Sequence, residues 1–543
     1  MAEPNVIKYT IPSAVQKLFR IFEQDEKKKE KAVAAEGSKI EIGDTLSKMA
    51  FFYEKIRNAI DYQEEHLLRK NAVLRILKRR FVSGIDTNLI AEPLIKELIQ
   101  GGYLPNNHLP ESKIQEVTVI INKYAALINQ IYHIHNRSDR RQIFKWLISL
   151  CACEIEENLG YNITNHALID FMYHLMDKRI VIRGSKIKPE VRNIQIYISI
   201  LRTLMRYDTD MLSYHIFLYY FPEWFHLNHS SLEKIALHIY KIKFKVKLQL
   251  ENPLGERLNR IMRKYMAIFT IFKDLVKKDP STAVHLVQDI EELQTAVKKA
   301  CNNKYQEIKA KLKRTSVRSI IYIFLTKMLI ALILEIPYEL YIEQSQLNFL
   351  PLGINIAFHP LLLFIIALVI RVPSEENTRK IFTGIKNIVY DYPEKNVQHY
   401  IKPPAKRGWF VTWLFRFFYL LTYVVTFGTI IFALYTLHFN IISIMLFLLF
   451  LSLVTFFGLK VRQGANELLV MDERPGMISA FLTFLLIPII RAGRWISVKF
   501  SKINVFVFFF DIFIEAPFKL LIDVFEDWST YIKEKREEIY DKE

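Results

Sequence analysis

Three stretches of the sequence contain no Asp, Glu, Lys or Arg over 21 residues or more, and they constrain the fold more than any other feature. These stretches cover 348–370, 417–437 and 439–459. A helix of this length crosses about 30 Å of hydrocarbon and satisfies its own backbone hydrogen bonds, so each stretch predicts a membrane-spanning helix. A fourth span is predicted over 319–342, where three charged residues interrupt the apolar sequence: Lys327, Glu335 and Glu339.

Two later apolar segments are harder to assign. The segment 477–490 is short for a span and is followed directly by Arg491. The segment 503–525 carries a charged residue at every fourth position: Asp511, Glu515, Lys519 and Asp523. We predict helices that lie in the membrane interface at 377–390, 477–498 and 503–525, and a six-span arrangement is the alternative. The helix at 377–390 could instead pack on the N-terminal domain.

The N-terminal part has the periodicity of helices. Apolar residues recur at helical spacing up to about residue 316, without a convincing alternating pattern of strands. One helix is predicted over 281–315, where it can run on into the first span, and 180–188 is predicted to be a loop or small hairpin. The chain is therefore predicted to be all-α, with an N-terminal helix and charged linker (1–37), a helical domain of nine or so helices (38–316), a polytopic membrane domain (317–525) and a charged tail (526–543).

The distribution of basic residues predicts the orientation. Lys and Arg crowd the entry to the first span and the connection 372–408, whereas 343–347 and 438–440 contain neither. The positive-inside rule then predicts a cytoplasmic helical domain and cytoplasmic termini, in a plasma (inner) membrane. Basic residues at this interface are predicted to contact the anionic headgroups of the bilayer: Lys311, Lys313, Arg314, Arg318, Lys406, Arg407, Arg491 and Arg494.

A near-repeat of an acid followed two residues later by proline marks a candidate site: Glu335-Ile-Pro and Glu515-Ala-Pro. Proline lacks a backbone donor, so it can kink a helix and expose polar groups at membrane depth. A candidate intramembrane polar or ion path consists of Glu335, Glu339, His359, Asp511 and Glu515, with Lys327 and Arg416 as candidate counter-charges. In the alternative interpretation, the acids lie at the headgroup level, the prolines only end helices and His359 has a structural role.

Other classes of site find little support. Motifs of dinucleotide, phosphate-loop, serine-hydrolase and zinc-protease type are absent, so no catalytic residue and no cofactor is predicted. Cys151 and Cys153 are two residues apart on a helix and point in different directions, so no metal site is predicted. The net charge is +18, but the sequence contains no motif that binds the groove of a nucleic acid. The basic residues therefore favour anionic lipid over nucleic acid as the partner.

Two functions follow from this pattern. The leading interpretation is a non-enzymatic, membrane-anchored interaction or scaffold protein that binds an unidentified protein partner through its helical domain. The alternative is an ion or solute channel or transporter that the cytosolic domain regulates, because the acid–proline motifs and the Pro- and Gly-containing second span resemble broken transporter helices. A lipid-handling enzyme is a third, weaker option, and the sequence predicts no oligomeric state.

Overall fold

The computed structural model describes residues 11–34, 39–42, 64–342, 349–470 and 477–502, together with 524, 528, 531 and 532. Shorter gaps inside these ranges lie at 83, 85, 135–136, 161, 184–186, 227–228, 371–372, 374, 391–397, 403–407 and 466–467. The described chain is almost entirely helical, which confirms the predicted all-α fold class. It divides into two compact units, which we call the helical unit (Met1–Leu293 with Gly384–Pro404) and the membrane unit (Gln294–Thr383 with Ala405–Glu543).

Helices follow one another along the helical unit. They are α1 (Ser13–Ala34), α2 (Glu65–Val82), α3 (Ala91–Gln100), α4 (Ser112–Ile134), α5 (Arg137–Leu159), α6 (Ile163–Arg179), α7 (Pro189–Leu204), α8 (Thr209–Tyr220), α9 (His229–Leu250), α10 (Pro253–Lys278) and α11 (Ala283–Gln288). Short 3-10 turns occur at Thr87–Leu89 and Pro222–His226.

Helix α5 lies in the middle of the core of the helical unit. Its residues 147–156 are all buried, so neighbouring helices enclose it on every side. Cys151 and Cys153 are therefore both buried, although they point in different directions. This burial raises the pKa of both thiols well above the ordinary value.

The interruption predicted at 180–188 contains a strand that pairs far along the chain. Strand β1 (Ile180–Ile182) runs parallel to β2 (His399–Ile401), with Ile180 opposite His399. The prediction of a self-contained loop or hairpin was therefore wrong for the first three residues. Local sequence carries no signal for a partner more than 200 residues away.

The helix predicted over 281–315 is interrupted at Asp289. The carboxylate of Asp289 accepts hydrogen bonds from the backbone N–H groups of Glu291 (2.8 Å) and Glu292 (3.2 Å), so it caps a new helix. That helix, α12, covers Ile290–Ile330 and continues through two π-helical turns, Ala331–Glu335 and Tyr338–Ile342. The prediction of a continuous path into the first span is confirmed, and the prediction of a single helix from 281 is wrong.

The membrane unit contains the long apolar helices. They are the last part of α12 with its π turns, α13 (Phe349–Val369), α14 (Glu375–Val389, shared with the helical unit), α15 (Trp409–Thr436), α16 (Ile441–Ala465) and α17 (Met477–Lys502). Four helices are long and apolar enough to cross a membrane: Ile290–Ile342, Phe349–Val369, Trp409–Thr436 and Ile441–Arg462. These four helices suggest a membrane-embedded protein, as the sequence predicts.

Two helices that the sequence assigned to the membrane interface have close packing contacts. The apolar residues Ile381 and Ile385 of α14 are fully buried, and Gly384 lies against Ile268 of α10 within the helical unit. In the membrane unit, Gly493 of α17 lies so close to the backbone carbonyl of Ser452 on α16 that a Cβ atom at this position would clash with that oxygen. Both helices use a glycine where another helix approaches closely.

Candidate functional site

A cluster of four polar side chains lies buried among the apolar helices of the membrane unit. Lys327, Asn355 and His359 are 0% exposed, and Glu335 is 1% exposed. His359 is the central residue of the 21-residue helix α13, Phe349–Val369. Because ionisable groups are costly inside a membrane span, such a cluster is a candidate functional site.

Irregular helix geometry positions the acid of this cluster. Glu335 is the last residue of the first π-helical turn, and the second π turn begins just after Pro337. Proline cannot donate the usual backbone hydrogen bond, and a π turn changes which residues share a helix face. On α13, Pro360 follows His359 directly and again removes a backbone donor.

Two donors converge on one oxygen of Glu335. The Lys327 ammonium lies 3.4 Å from Glu335 Oε1, and the Asn355 amide donates a 2.6 Å hydrogen bond to the same oxygen. The Lys327 Nζ also lies 4.7 Å from the centroid of the Phe450 ring. Lys327 and Glu335 therefore form an ion pair, in which the Asn355 amide binds the carboxylate and the Phe450 ring lies against the ammonium.

Two acceptor oxygens of the cluster have no hydrogen-bond partner among the described residues. They are Glu335 Oε2 and Asn355 Oδ1, and both are buried. Leaving a buried acceptor unpaired costs about 1–3 kcal/mol, and more for a charged group. A proton, a water molecule or an ion that binds such an oxygen would satisfy the unpaired acceptor and remove this cost in free energy.

The ring of His359 faces two backbone carbonyl groups. Nδ1 lies 3.1 Å from the carbonyl oxygen of Asn355, and Nε2 lies 3.0 Å from that of Phe447 on α16. A neutral imidazole has one N–H group and can donate to only one of these oxygens, whereas the protonated ring donates to both. The ring also packs edge-on against Phe447, with centroids 4.7 Å apart.

The structure brings together three of the residues predicted from the sequence, namely Lys327, Glu335 and His359. Glu339 lies in the second π turn and is half-buried, and Arg416 is exposed on α15. Asp511 and Glu515 lie outside the described residues. The sequence prediction noted Asn355 in the interrupted second span but did not include it in the polar path, although its position four residues before His359 places both on one face of α13.

The predicted lipid-contacting residues are exposed where the structure describes them: Lys311, Lys313, Arg314, Arg318, Arg491 and Arg494. Lys406 and Arg407 lie outside the described residues. Arg491 donates a 2.6 Å hydrogen bond from Nη1 to the hydroxyl of Tyr419.

Buried charges in the helical unit form a second set. Glu154 of α5 accepts hydrogen bonds from Lys123, from the Tyr124 hydroxyl (2.9 Å) and from the Trp224 indole (2.7 Å). Glu156 accepts two hydrogen bonds from Arg69, of 2.7 and 2.8 Å. Burial raises the pKa of Glu156 to about 7, and the Arg69 guanidinium opposes that shift.

Two further charged contacts belong to this set. Burial acts to lower the pKa of Lys70, but the attractions of Asp208, Asp210 and Cys153 together outweigh it and the pKa is raised. The ammonium of Lys70 lies 2.5 Å from the carboxylate of Asp208. Burial alone would raise the pKa of Glu157, yet the attraction of His215, at 2.6 Å, holds it below the ordinary value. In the part of the chain that the structure describes, no group of three or more His, Cys, Asp or Glu residues could hold a metal ion.

In comparisons with known proteins, no family model, no curated protein and no solved structure matches the chain.

Proposed function

We propose that this chain is an ion-translocating membrane protein and that the translocated ion is the proton. The proposal depends on the burial of Lys327, Glu335 and His359 among apolar helices, with one oxygen of Glu335 left unpartnered among the described residues. A charged group at the centre of a span costs about 2.5–3.5 kcal/mol on insertion scales, and such groups usually mark the path of an ion or substrate. A protein that only anchors a soluble domain needs no such group.

The chemistry of the cluster favours a proton over a metal cation. The Lys327 ammonium already neutralises Glu335 at 3.4 Å. A metal cation would have to shed its water and enter beside this like charge, in a medium where repulsion is strong. A proton needs only a basic atom, and Glu335 Oε2 and the imidazole of His359 are two such atoms.

Translocation proceeds by protonation and deprotonation of these two groups. When Oε2 of Glu335 takes up a proton, the carboxyl becomes neutral and its attraction to Lys327 weakens. When His359 takes up a proton, its two N–H groups donate hydrogen bonds to the carbonyls of Asn355 and Phe447 at the same time. The neutral ring has one N–H group and donates to only one of the two carbonyls. Because Phe447 belongs to α16, the protonation state of His359 changes how α13 is held to α16.

The same proposal places the protein in a plasma (inner) membrane with both termini in the cytoplasm. Exposed Lys311, Lys313 and Arg318 near the start of the first span support this orientation and contact with anionic headgroups. Cysteines introduced at Lys188 and His438, both exposed, test it. A membrane-impermeant maleimide applied to intact cells should label the cysteine at 438 and not the one at 188; the reverse pattern contradicts the orientation.

Proton flux into liposomes that contain the purified full-length protein tests the function. Under a potassium diffusion potential, a pH-sensitive dye in the lumen should report flux with the wild-type protein. Glu335→Gln removes the group that takes up and releases the proton, so we expect the flux to fall by about 100-fold.

Glu339→Gln is the matched control for this experiment, because it makes the same chemical change four residues later at a half-buried position. We expect it to keep most of the flux. The proposal fails if wild-type liposomes take up protons no faster than empty ones, or if Glu335→Gln behaves like the wild type.

An exposed face of α9 favours a second candidate function, an interaction protein. Leu237, Phe244 and Leu248 are 57%, 61% and 53% exposed, and their spacing places them on one side of the helix. Lys241 and Lys245 are exposed along the same side. This combination fits an acidic amphipathic helix of a partner protein, because both its charge and its apolar stripe would be complementary.

Cross-linking in cells, followed by mass spectrometry, tests this second candidate. The wild-type chain should form cross-links from Lys241 to an acid-rich helical segment of another protein, and Phe244→Asp should abolish them. Val119→Asp changes an exposed residue on α4 and should leave them intact. Cross-links from Lys241 that are the same with and without Phe244→Asp, or that are missing in the wild type, contradict the candidate.

A further inference from the structure

An open surface cavity of about 530 Å³ lies in the membrane unit along α15, with Phe484 of α17 at its edge. Its lining is mostly aromatic: Thr412, Phe415, Arg416, Phe418, Tyr419 and Phe484. The volume falls within the range of roughly 300–1,000 Å³ that is typical of ligand sites. An occupant of this cavity must therefore be largely apolar where it meets the aromatic rings.

Two arginines are placed at this cavity. Arg416 lines it directly, and Arg491 reaches its wall through the 2.6 Å hydrogen bond to the hydroxyl of Tyr419. Neither guanidinium has a carboxylate partner among the described residues. Arg416 stands seven residues after the first residue of α15, about 10 Å along the helix axis, so it lies toward one end of the span.

Aromatic residues indicate the depth of these arginines. Trp409 and Trp413 of α15 are 81% and 54% exposed on the apolar helix. Tryptophan is enriched at the level of the lipid headgroups, so the N-terminal end of α15 belongs at a membrane surface. The cavity consequently has a cationic end near the headgroups and an aromatic wall that continues toward the hydrocarbon.

We propose that this cavity binds one anionic glycerophospholipid. Its phosphate lies between Arg416 and Arg491, since guanidinium groups bind phosphate oxygens with paired hydrogen bonds. One acyl chain lies along Phe415, Phe418 and Phe484. The lipid neutralises cations that would otherwise remain unpaired beside hydrocarbon, and its acyl chain covers aromatic rings that are about half exposed.

Photo-cross-linking of the reconstituted full-length protein tests the site. Phosphatidylcholine vesicles carry a trace of either photoactivatable phosphatidic acid or photoactivatable phosphatidylcholine with the same acyl chains. We expect the phosphatidic acid probe to label peptides of α15 and α17 about tenfold more than the neutral probe. Unlabelled phosphatidic acid should compete this labelling away.

Four variants identify the cavity as the labelled site. Arg416→Gln should lower the labelling by about tenfold, and Arg416→Lys, which keeps the charge, should retain a larger part of it. Thr412→Phe fills the cavity and should also lower the labelling, with both arginines intact. Arg462→Gln removes an exposed arginine on α16 and should leave it unchanged.

Each variant is used only if it elutes as the wild type does in size-exclusion chromatography. Equal labelling by the neutral and the anionic probe overturns the proposal, as does labelling that Arg416→Gln and Arg462→Gln reduce to the same extent. The result is independent of proton flux, because binding is measured without a proton gradient.

Discussion

The two units both bury charged side chains, but they differ in how completely those charges are paired. In the helical unit, Glu154 accepts hydrogen bonds from three different side chains, and Glu156 binds Arg69 through both of its oxygens. In the membrane unit, Glu335 receives both of its donors on Oε1. Among the described residues, Glu335 Oε2 is the one buried carboxylate oxygen without a hydrogen-bond partner.

This difference separates a structural use of buried charge from a functional one. A carboxylate with a full set of donors is held in one geometry, and it ties together the helices that supply the donors. A carboxylate with a vacant acceptor keeps the capacity to take up a proton. The difference predicts that substitutions in the first set act mainly on stability and substitutions in the second act on transport.

The largest effect on stability is expected for Glu154→Ala. The substitution leaves the half-buried Lys123 without its carboxylate and removes the acceptor of the buried Tyr124 and Trp224, so unfolding should become easier by about 3 kcal/mol. Thermal unfolding of the purified full-length protein, followed by circular dichroism, measures this as a lower Tm. Glu111→Ala, at an exposed position, should change stability by less than about 0.5 kcal/mol. Equal Tm values for the two variants would show that the fully paired carboxylate of Glu154 does not stabilise the fold.

A smaller loss is expected for Lys327→Met in the membrane unit. The substitution leaves the Glu335 carboxylate buried without its counter-charge, although Asn355 still donates to it, and we expect a loss of about 2 kcal/mol. Lys327→Met combined with Glu335→Gln removes both charges and should restore most of the Tm. If the double variant is no more stable than Lys327→Met alone, the two residues are not an energetic pair.

The stability of the helical unit should also depend on pH through Glu157. The pKa of Glu157 is lower in the folded protein than its ordinary value, because the attraction and hydrogen bond of His215, together with His166 and the Tyr207 hydroxyl, outweigh burial. Its contribution to stability is therefore present above the ordinary carboxylate pKa and is lost as the pH falls through the folded value. The Tm of the wild type should fall more between pH 7 and pH 4 than that of Glu157→Gln. Parallel curves would show that this acid does not contribute.

The smallest effect is expected for the native thiols. Burial raises the pKa of Cys151 and Cys153, so neither forms the reactive thiolate in the folded protein. Maleimide should label a cysteine introduced at exposed Lys188 readily and should reach Cys151 and Cys153, two of the three native thiols, only after denaturation. Rapid labelling of Cys151 in the folded protein would contradict the enclosed position of α5.

Composition predicted the parts of this structure that depend on local sequence. Charged residues are rare in apolar spans, so Lys327, Glu335 and His359 could be selected before any contact was known. The helical class and the four candidate spans follow from periodicity and length for the same reason.

Contacts between distant segments could not be predicted in this way. Asn355 is uncharged and gains its importance only from its approach to Glu335, 20 residues earlier on another helix. The pairing of β1 with β2 depends on the arrangement of the whole helical unit. The approach of Gly493 to Ser452 likewise depends on the packing of α17 on α16, which a single sequence does not encode in any local pattern.

The proposed transport requires Glu335 to take up a proton while it is buried among the spans. Infrared difference spectroscopy on the reconstituted protein measures this directly, because a protonated carboxyl group has its own C=O stretching band. On acidification, we expect a carboxyl band in the wild type that is retained in Glu339→Gln and lost in Glu335→Gln. Identical difference spectra for the wild type and Glu335→Gln would contradict it.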